Sequence, residues 1–372
     1  MHVLFLLDSL SMGGSERKSV KLVNELMARG HVVSLAYLQD PAVLLPEVDY
    51  RVFTCCLDRK GKFSIKALRN LHRLVVDRKV DVILCMNLYP VLYASVLKRL
   101  ASSLKIRLIL ATNTTEFARF RDKIFMFLYA PMIRRIDFVI YGCKFQFELW
   151  AEKYKIRKTK SSVIYNGVDL ARFDARNVSD NLRDELALQH EFVVGCVARF
   201  DLEKNHAALL EVVGQRKSAG SRIHVLLVGD GPEYGSLVNL AKTLNVSDRI
   251  HFLGRMADVR KALATMDVFV LPSKSVETFS NAALEAMAMA IPTVLSNVGG
   301  AAEMVNDGRD GYVYERDDLQ RLSDRLAVLE NNPELRMRLG RSARATVESK
   351  FQFARMVDEY EALLYDTEVV GA

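Results

Sequence analysis

Short apolar runs alternate with longer stretches of helical spacing along almost the whole chain. The runs His2–Leu7, Val32–Tyr37, 80–85, 107–111 and Phe138–Tyr141 form a first series. Phe192–Val197, Ile223–Val228, 250–253, Val268–Leu271 and 293–295 form a second. Several are apolar at every position, not at alternate ones, as expected for parallel strands covered on both faces by helices. Between them lie helical patterns such as 16–29 and 259–265. Strand and helix in strict alternation predict doubly wound α/β layers.

The alternation breaks once, in the polar stretch that starts at Asn166-Gly167. A chain of 372 residues fits two domains at about 150 residues each. The expected division is a first domain over 1–165, a linker over 166–190 and a second domain over 191–350. An amphipathic helix within 351–372 closes the chain. There is no solenoid-length repeat and no low-complexity tract.

Composition narrows the class. Half of the residues are hydrophobic, enough for sizeable cores. The opening apolar run stops at Asp8 and reads as a strand, not as a secretion signal. No run reaches the roughly 18 apolar residues of a membrane span. Five scattered cysteines without C-x-x-C predict reduced thiols and a cytoplasmic protein.

Charge is uneven. Residues 1–167 carry 28 Lys and Arg against 14 Asp and Glu, a net +14, whereas the remainder is −7. The basic first half reads equally as a solvated surface or as peripheral attachment to an anionic leaflet, where each cation contributes about 1 kcal/mol. Nucleic acid is a poorer partner, since no recognition motif accompanies the basic runs.

The chemistry concentrates in Glu277-Thr-Phe-Ser-Asn-Ala-Ala-Leu-Glu285. It follows the run Val268–Leu271 and enters a helical pattern, with Ser280 as the expected N-cap. Glu277 is therefore placed on the loop at a strand's carboxyl end, and Glu285 on the second helical turn. Ligands of open α/β sheets bind at that edge, and the amides of a helix start point there. Arg199 and Lys204 follow the strand Phe192–Val197 and are expected to reach the same edge. Gly13-Gly14 follows the first strand; it serves equally as a tight turn or as a close backbone approach to an anion.

Taken together these segments resemble the retaining GT-B glycosyltransferases of family 4. The pattern E-x7-E carries Phe279 and Asn281 between its carboxylates. In the family's order stand Gly13-Gly14-Ser-Glu16, Ile164-Tyr-Asn-Gly-Val-Asp169, Val197-Ala-Arg199 with Lys204, Leu227-Val-Gly-Asp-Gly-Pro232, Phe252-Leu-Gly254 and Gly299-Gly300-Ala-Ala-Glu303. The resemblance covers nearly the whole length. It implies two Rossmann-like domains facing across a cleft, the last helix crossing back to the first domain, and retention at the anomeric carbon.

The resemblance also implies roles. Arg199 and Lys204 grip the diphosphate of a nucleotide-diphosphate sugar, so no metal and no cofactor is expected; the sequence has no Asp-x-Asp to hold one. Glu277 faces the transferred sugar and stabilises its cationic transition state. Glu285 accepts hydrogen bonds from the ribose diol, as a carboxylate can. Gly13, Gly14, Phe279, Ser280, Asn281 and Gly254 complete the donor site. The acceptor is expected to be a lipid-linked or cell-surface glycan precursor.

The chain departs from the family at several points. Thr278, Ala290 and Asn205 stand where glycine is common, and no histidine follows the strand 107–111. Asn113 or Glu116 takes that place on the acceptor side. His2, His31 and His72 are read as structural. A sugar epimerase of the same fold and a non-catalytic nucleotide-sugar-binding protein remain rival readings. A nicotinamide oxidoreductase is disfavoured by the missing G-x-G-x-x-G.

Overall fold

The computed structural model describes residues 1–115, 126, 129–156, 161–178 and 182–365. The chain divides into two compact units, Met1–Tyr165 with Met356–Ala372, and Asn166–Arg355.

The first unit is built on a seven-stranded parallel sheet: β1 (His2–Leu7), β2 (Val32–Tyr37), β3 (Phe53–Cys56), β4 (Val82–Met86), β5 (Arg107–Thr112), β6 (Phe138–Tyr141) and β7 (Ser161–Val163). Their spatial order is β3-β2-β1-β4-β5-β6-β7. All six residues of β1 are buried, which explains why that strand shows no polar alternation. The helices Gly14–Ala28, Ile65–Asp77, Leu88–Leu100 and Lys144–Tyr154 connect the strands.

The second unit repeats the plan with six parallel strands: β8 (Phe192–Val197), β9 (Ile223–Val228), β10 (Ile250–Gly254), β11 (Val268–Leu271), β12 (Thr293–Ser296) and β13 (Gly311–Tyr314). The order is β10-β9-β8-β11-β12-β13. In both units the strand order reverses beside the first strand, between β1 and β4 and between β8 and β11. Connections there leave in opposite directions and open a crevice at the carboxyl ends.

One boundary differs from expectation. The segment from Asn166 is part of the second unit, not a free linker. Asn166 Nδ2 donates to the Phe279 carbonyl at 2.8 Å, Val168 pairs with Gln352, and Arg183 binds Asp267 at 2.8 Å. A Cβ at Gly167 would strike the Gln352 carbonyl at 2.5 Å, so glycine is required for that crossing. The last helix is Phe353–Tyr365, and from Met356 onward it belongs to the first unit. Arg29 binds Glu361 at 2.5 Å, Arg107 donates to the Leu363 carbonyl at 3.0 Å, and His31 stacks on Tyr365.

Candidate active site

The second unit's site grows from the ends of β8, β11 and β12. Past Leu271 the chain turns through Ser273 and Val276, and Val276 adopts φ +56°. A β-branched side chain is disfavoured in that region, and such local strain is characteristic of functional loops. Glu277 follows immediately. Ser280 then caps the helix Asn281–Ala288, its hydroxyl accepting from the Ala283 amide at 3.2 Å, as its position predicts.

The Glu277 backbone is wedged from the neighbouring loop. Gly299 has φ +61°, and any Cβ there would collide with the Glu277 carbonyl. The Gly300 amide donates to the Thr278 carbonyl at 2.8 Å. Gly299 thus brings one loop flush against the next, a contact that no side chain permits at that position. Ser273, Glu277, Thr278, Ser280, Ser296 and Val298 line a small pocket at this edge.

Lys204 meets Glu277 from the single turn Leu202–Lys204 after β8. Its Nζ lies 2.5 Å from Glu277 Oε2, and Ser273 Oγ donates to the same oxygen at 3.4 Å. Burial, the largest influence, opposes the charged ammonium. The Glu277 carboxylate outweighs it, so the net shift is upward and Lys204 stays charged. Arg199 behaves differently. Its side chain is 67% exposed and pairs with Asp201 at 3.3 Å, so Lys204 alone of the two expected cations engages Glu277.

The remaining residues fall at different depths. Glu285 is half-buried on the second turn of its helix, as its spacing predicts. Asn281 opens that helix. Phe279 is buried against Phe351, ring centroids 5.1 Å apart, and its carbonyl receives Asn166. Its ring packs in the interior behind the loop. Gly254 ends β10 at φ +66° and its carbonyl accepts from Gly229. Asn205 and Ala290, two of the departures from glycine, both hold left-handed backbone, at φ +53° and +58°. Asparagine tolerates that region; alanine does so at a cost.

His206 was not singled out by the sequence. It opens the helix His206–Ser218, packs edge-on against Phe200, and is buried with neither ring nitrogen in a hydrogen bond. Burial first, then the Lys204 charge, lowers its pKa to about 4.

In the first unit Gly13 precedes and Gly14 begins the helix Gly14–Ala28. The space over Gly13 holds the Glu16 carboxylate, which accepts from Ser15 Oγ at 2.8 Å. Asn113, after β5, accepts from Lys18 Nζ at 2.8 Å, and its amide donates to Asn87 Oδ1 at 3.2 Å. Burial brings the Lys18 pKa down to about 8. Lys18 also escaped sequence reading, because a lysine four residues past Gly14 looks like solvated helix. Glu116 lies outside the described residues. His2 is structural, bonded to Ser34 Oγ and the Arg78 carbonyl at 2.8 Å each.

Known proteins resemble both units. Residues 178–346 match the family model of glycosyl transferases group 1, and residues 12–172 that of Glycosyltransferase Family 4. The N-acetyl-alpha-D-glucosaminyl L-malate synthase of Bacillus anthracis is 37% identical over 142 residues, 38% of this chain and 37% of the relative. A Campylobacter jejuni N-acetylgalactosamine-N,N'-diacetylbacillosaminyl-diphospho-undecaprenol 4-alpha-N-acetylgalactosaminyltransferase is 24% identical, over 95% of this chain and 97% of its own. The crystal structure of Anabaena Alr3699/HepE with UDP and glucose superposes with TM-score 0.85 at 19% identity, covering 98% and 99% of the two chains. A two-sheet α/β fold shared with that structure, and two family models that between them take in both units, make this chain a GT-B glycosyltransferase of family 4.

Proposed function

We propose that this chain transfers a sugar from a nucleotide-diphosphate donor to an acceptor hydroxyl, with retention at the anomeric carbon. The Lys204–Glu277 pair carries the reading: a charged ammonium and a carboxylate are fixed at the carboxyl edge of the second sheet. Lys204 stabilises the charge that develops on the leaving diphosphate, and exposed Arg199 swings in to join it. The leaving phosphate takes the acceptor proton, which suits a site whose nearest carboxylate is already tied to a cation. Glu277 faces the sugar, and Glu285 receives the ribose hydroxyls. With two cations for the diphosphate, the enzyme works without a divalent metal, and turnover surviving EDTA tests this.

UDP is the first donor base to try, since the Anabaena protein binds UDP with glucose. A thermal-shift series with UDP, GDP and ADP and their sugar conjugates identifies the base through linkage. The reading fails if no nucleotide shifts the transition and none supports transfer.

The acceptor is a lipid-linked or cell-surface glycan precursor, and the basic first unit holds the enzyme at an anionic leaflet. Two observations support this. The Campylobacter relative acts on a diphospho-undecaprenol substrate. In this chain Phe63 and Ile65, 44% and 62% exposed, stand among Lys60, Lys62 and Lys66. Among the described residues no helix is long and apolar enough to cross a membrane. Cosedimentation with phosphatidylglycerol vesicles but not with phosphatidylcholine vesicles is the expected result.

A further inference from the structure

The first unit's strand order reverses between β1 and β4, so its crevice opens where those strands end. Asp8 follows β1 there, and Tyr89 follows β4 in the first turn of Leu88–Leu100. Arg59 arrives from beyond β3, its amide donating to the Leu38 carbonyl at 2.7 Å. Its guanidinium carbon sits 4.3 Å from the centroid of the Tyr89 ring, and Nη2 lies 3.1 Å from Asp8 Oδ1.

The pair is asymmetric. The Arg59 side chain is 8% exposed, whereas that of Asp8 is 42% exposed. Asp8 Oδ1 is buried against the guanidinium, so Oδ2 is the oxygen open to the crevice; Gln39 Nε2 donates to it at 3.4 Å. As a purely stabilising ion pair the arrangement is poor. Arg59 Nε is buried and makes no hydrogen bond, which costs about 1–3 kcal/mol, and Asp8 Oδ1 has only its ion-pair contact with Arg59 Nη2. A buried pair gains stability only when its remaining hydrogen bonds are met. Tyr129 belongs to the same cluster: burial first, then Tyr89 and Asp8, push its phenol up to about 12, so it remains a neutral donor.

We propose that this crevice binds a neutral sugar ring of the acceptor, with Asp8 Oδ2 accepting from its hydroxyls and Arg59 holding the carboxylate in place. The inference rests on the glycosyltransferase reading and adds the acceptor's chemistry to it. Arg59 is already neutralised by Asp8, so the cluster offers no spare cation for a phosphate or carboxylate. The exposed oxygen is an acceptor, which repels anions and suits hydroxyl groups. Tyrosine rings beside it supply the apolar surface that the C–H face of a pyranose covers.

Saturation-transfer NMR on the full chain tests the site. The probes are methyl glycosides of glucose, galactose, mannose and N-acetylglucosamine, with glucuronic acid and glucose 1-phosphate as anionic counterparts. At least one neutral glycoside is expected to bind, and the anionic sugars more weakly. Asp8→Asn and Tyr89→Ala are each expected to lower that affinity tenfold or more, while the nucleotide-induced thermal shift, which arises in the other unit, persists. Unchanged affinity in Asp8→Asn, stronger binding of the anionic sugars, or no binding of any neutral glycoside to the wild-type chain overturns the proposal. Glycoside binding that depends on Asp8 in a chain showing no nucleotide shift supports the site and refutes the transferase reading alone.

Discussion

Lys204 Nζ lies 2.5 Å from Glu277 Oε2, although 73 residues separate them in sequence. The contact joins the first βα loop of the second unit to the loop after β11, across the place where the strand order reverses. Both groups are largely buried, so each depends on the other. Replacing Glu277 by Ala leaves an uncompensated ammonium, and burial then lowers the Lys204 pKa. We expect a loss of stability on the order of 3 kcal/mol and a fall in turnover of roughly a hundredfold, with a smaller change in donor affinity. Urea unfolding and steady-state kinetics on Glu277→Ala and Lys204→Ala check this. Kinetics like the wild type in both variants would remove the pair from the mechanism.

Gly299 offers a subtler route to the same carboxylate. Its backbone is left-handed and abuts the Glu277 carbonyl. Gly299→Ala pushes the Glu277 loop away without touching a charged group. A destabilisation of about 1–3 kcal/mol is expected, with a turnover loss larger than that stability change explains. Measuring turnover well below the melting transition separates the two. Full activity there would show that the wedge does not set the geometry of Glu277.

Ala290 points the other way. It holds φ +58° between the helix Asn281–Ala288 and β12, and Gly340 packs against its carbonyl, which pins that backbone. Ala290→Gly relieves the left-handed strain and is expected to stabilise the chain by about 0.5–1 kcal/mol with unchanged kinetics. A lower urea midpoint would contradict this.

His206 predicts an acid limit. Its folded pKa, about 4, lies below the unfolded value near 6.5. The folded state thus favours the neutral ring. Its contribution is fully present above about pH 6.5 and is lost as pH falls toward 4, up to about 3 kcal/mol. Burial lowers the His224 and His251 pKa values too, so their contributions have the same sign. Urea unfolding from pH 7.5 to 4.5 on the wild type and His206→Gln tests the assignment. Identical pH slopes in the two proteins would rule His206 out as the source.

Most strands were legible because parallel strands buried on both faces carry an uninterrupted apolar signal. The three that went unread, β3, β7 and β13, are all edge strands of four residues or fewer. Two of them are only half-buried, so composition does not distinguish them from loops. The segment after Asn166 misled for a related reason. It is polar along its length, yet it is held by side-chain bonds to residues far along the chain, which local composition does not report.

Of the site, the sequence by itself determined the positions that local rules govern. The E-x7-E spacing set Glu277 on a loop and Glu285 on the second helical turn, with Ser280 as cap. Positions 205, 254, 290 and 299, which the family resemblance singles out, hold left-handed backbone in the structure. Partnership is what only the tertiary structure decided. Arg199 and Lys204 look alike in sequence, five residues apart, but one meets solvent and Asp201 and the other meets Glu277. Lys18, His206 and the Asp8–Arg59 pair carry no local signature, since their burial comes from strands and loops brought together by the sheet order. Spacing along one element fixes which way a backbone runs; the energy of a charged group depends on what packs around it, and that is set by residues distant in the chain.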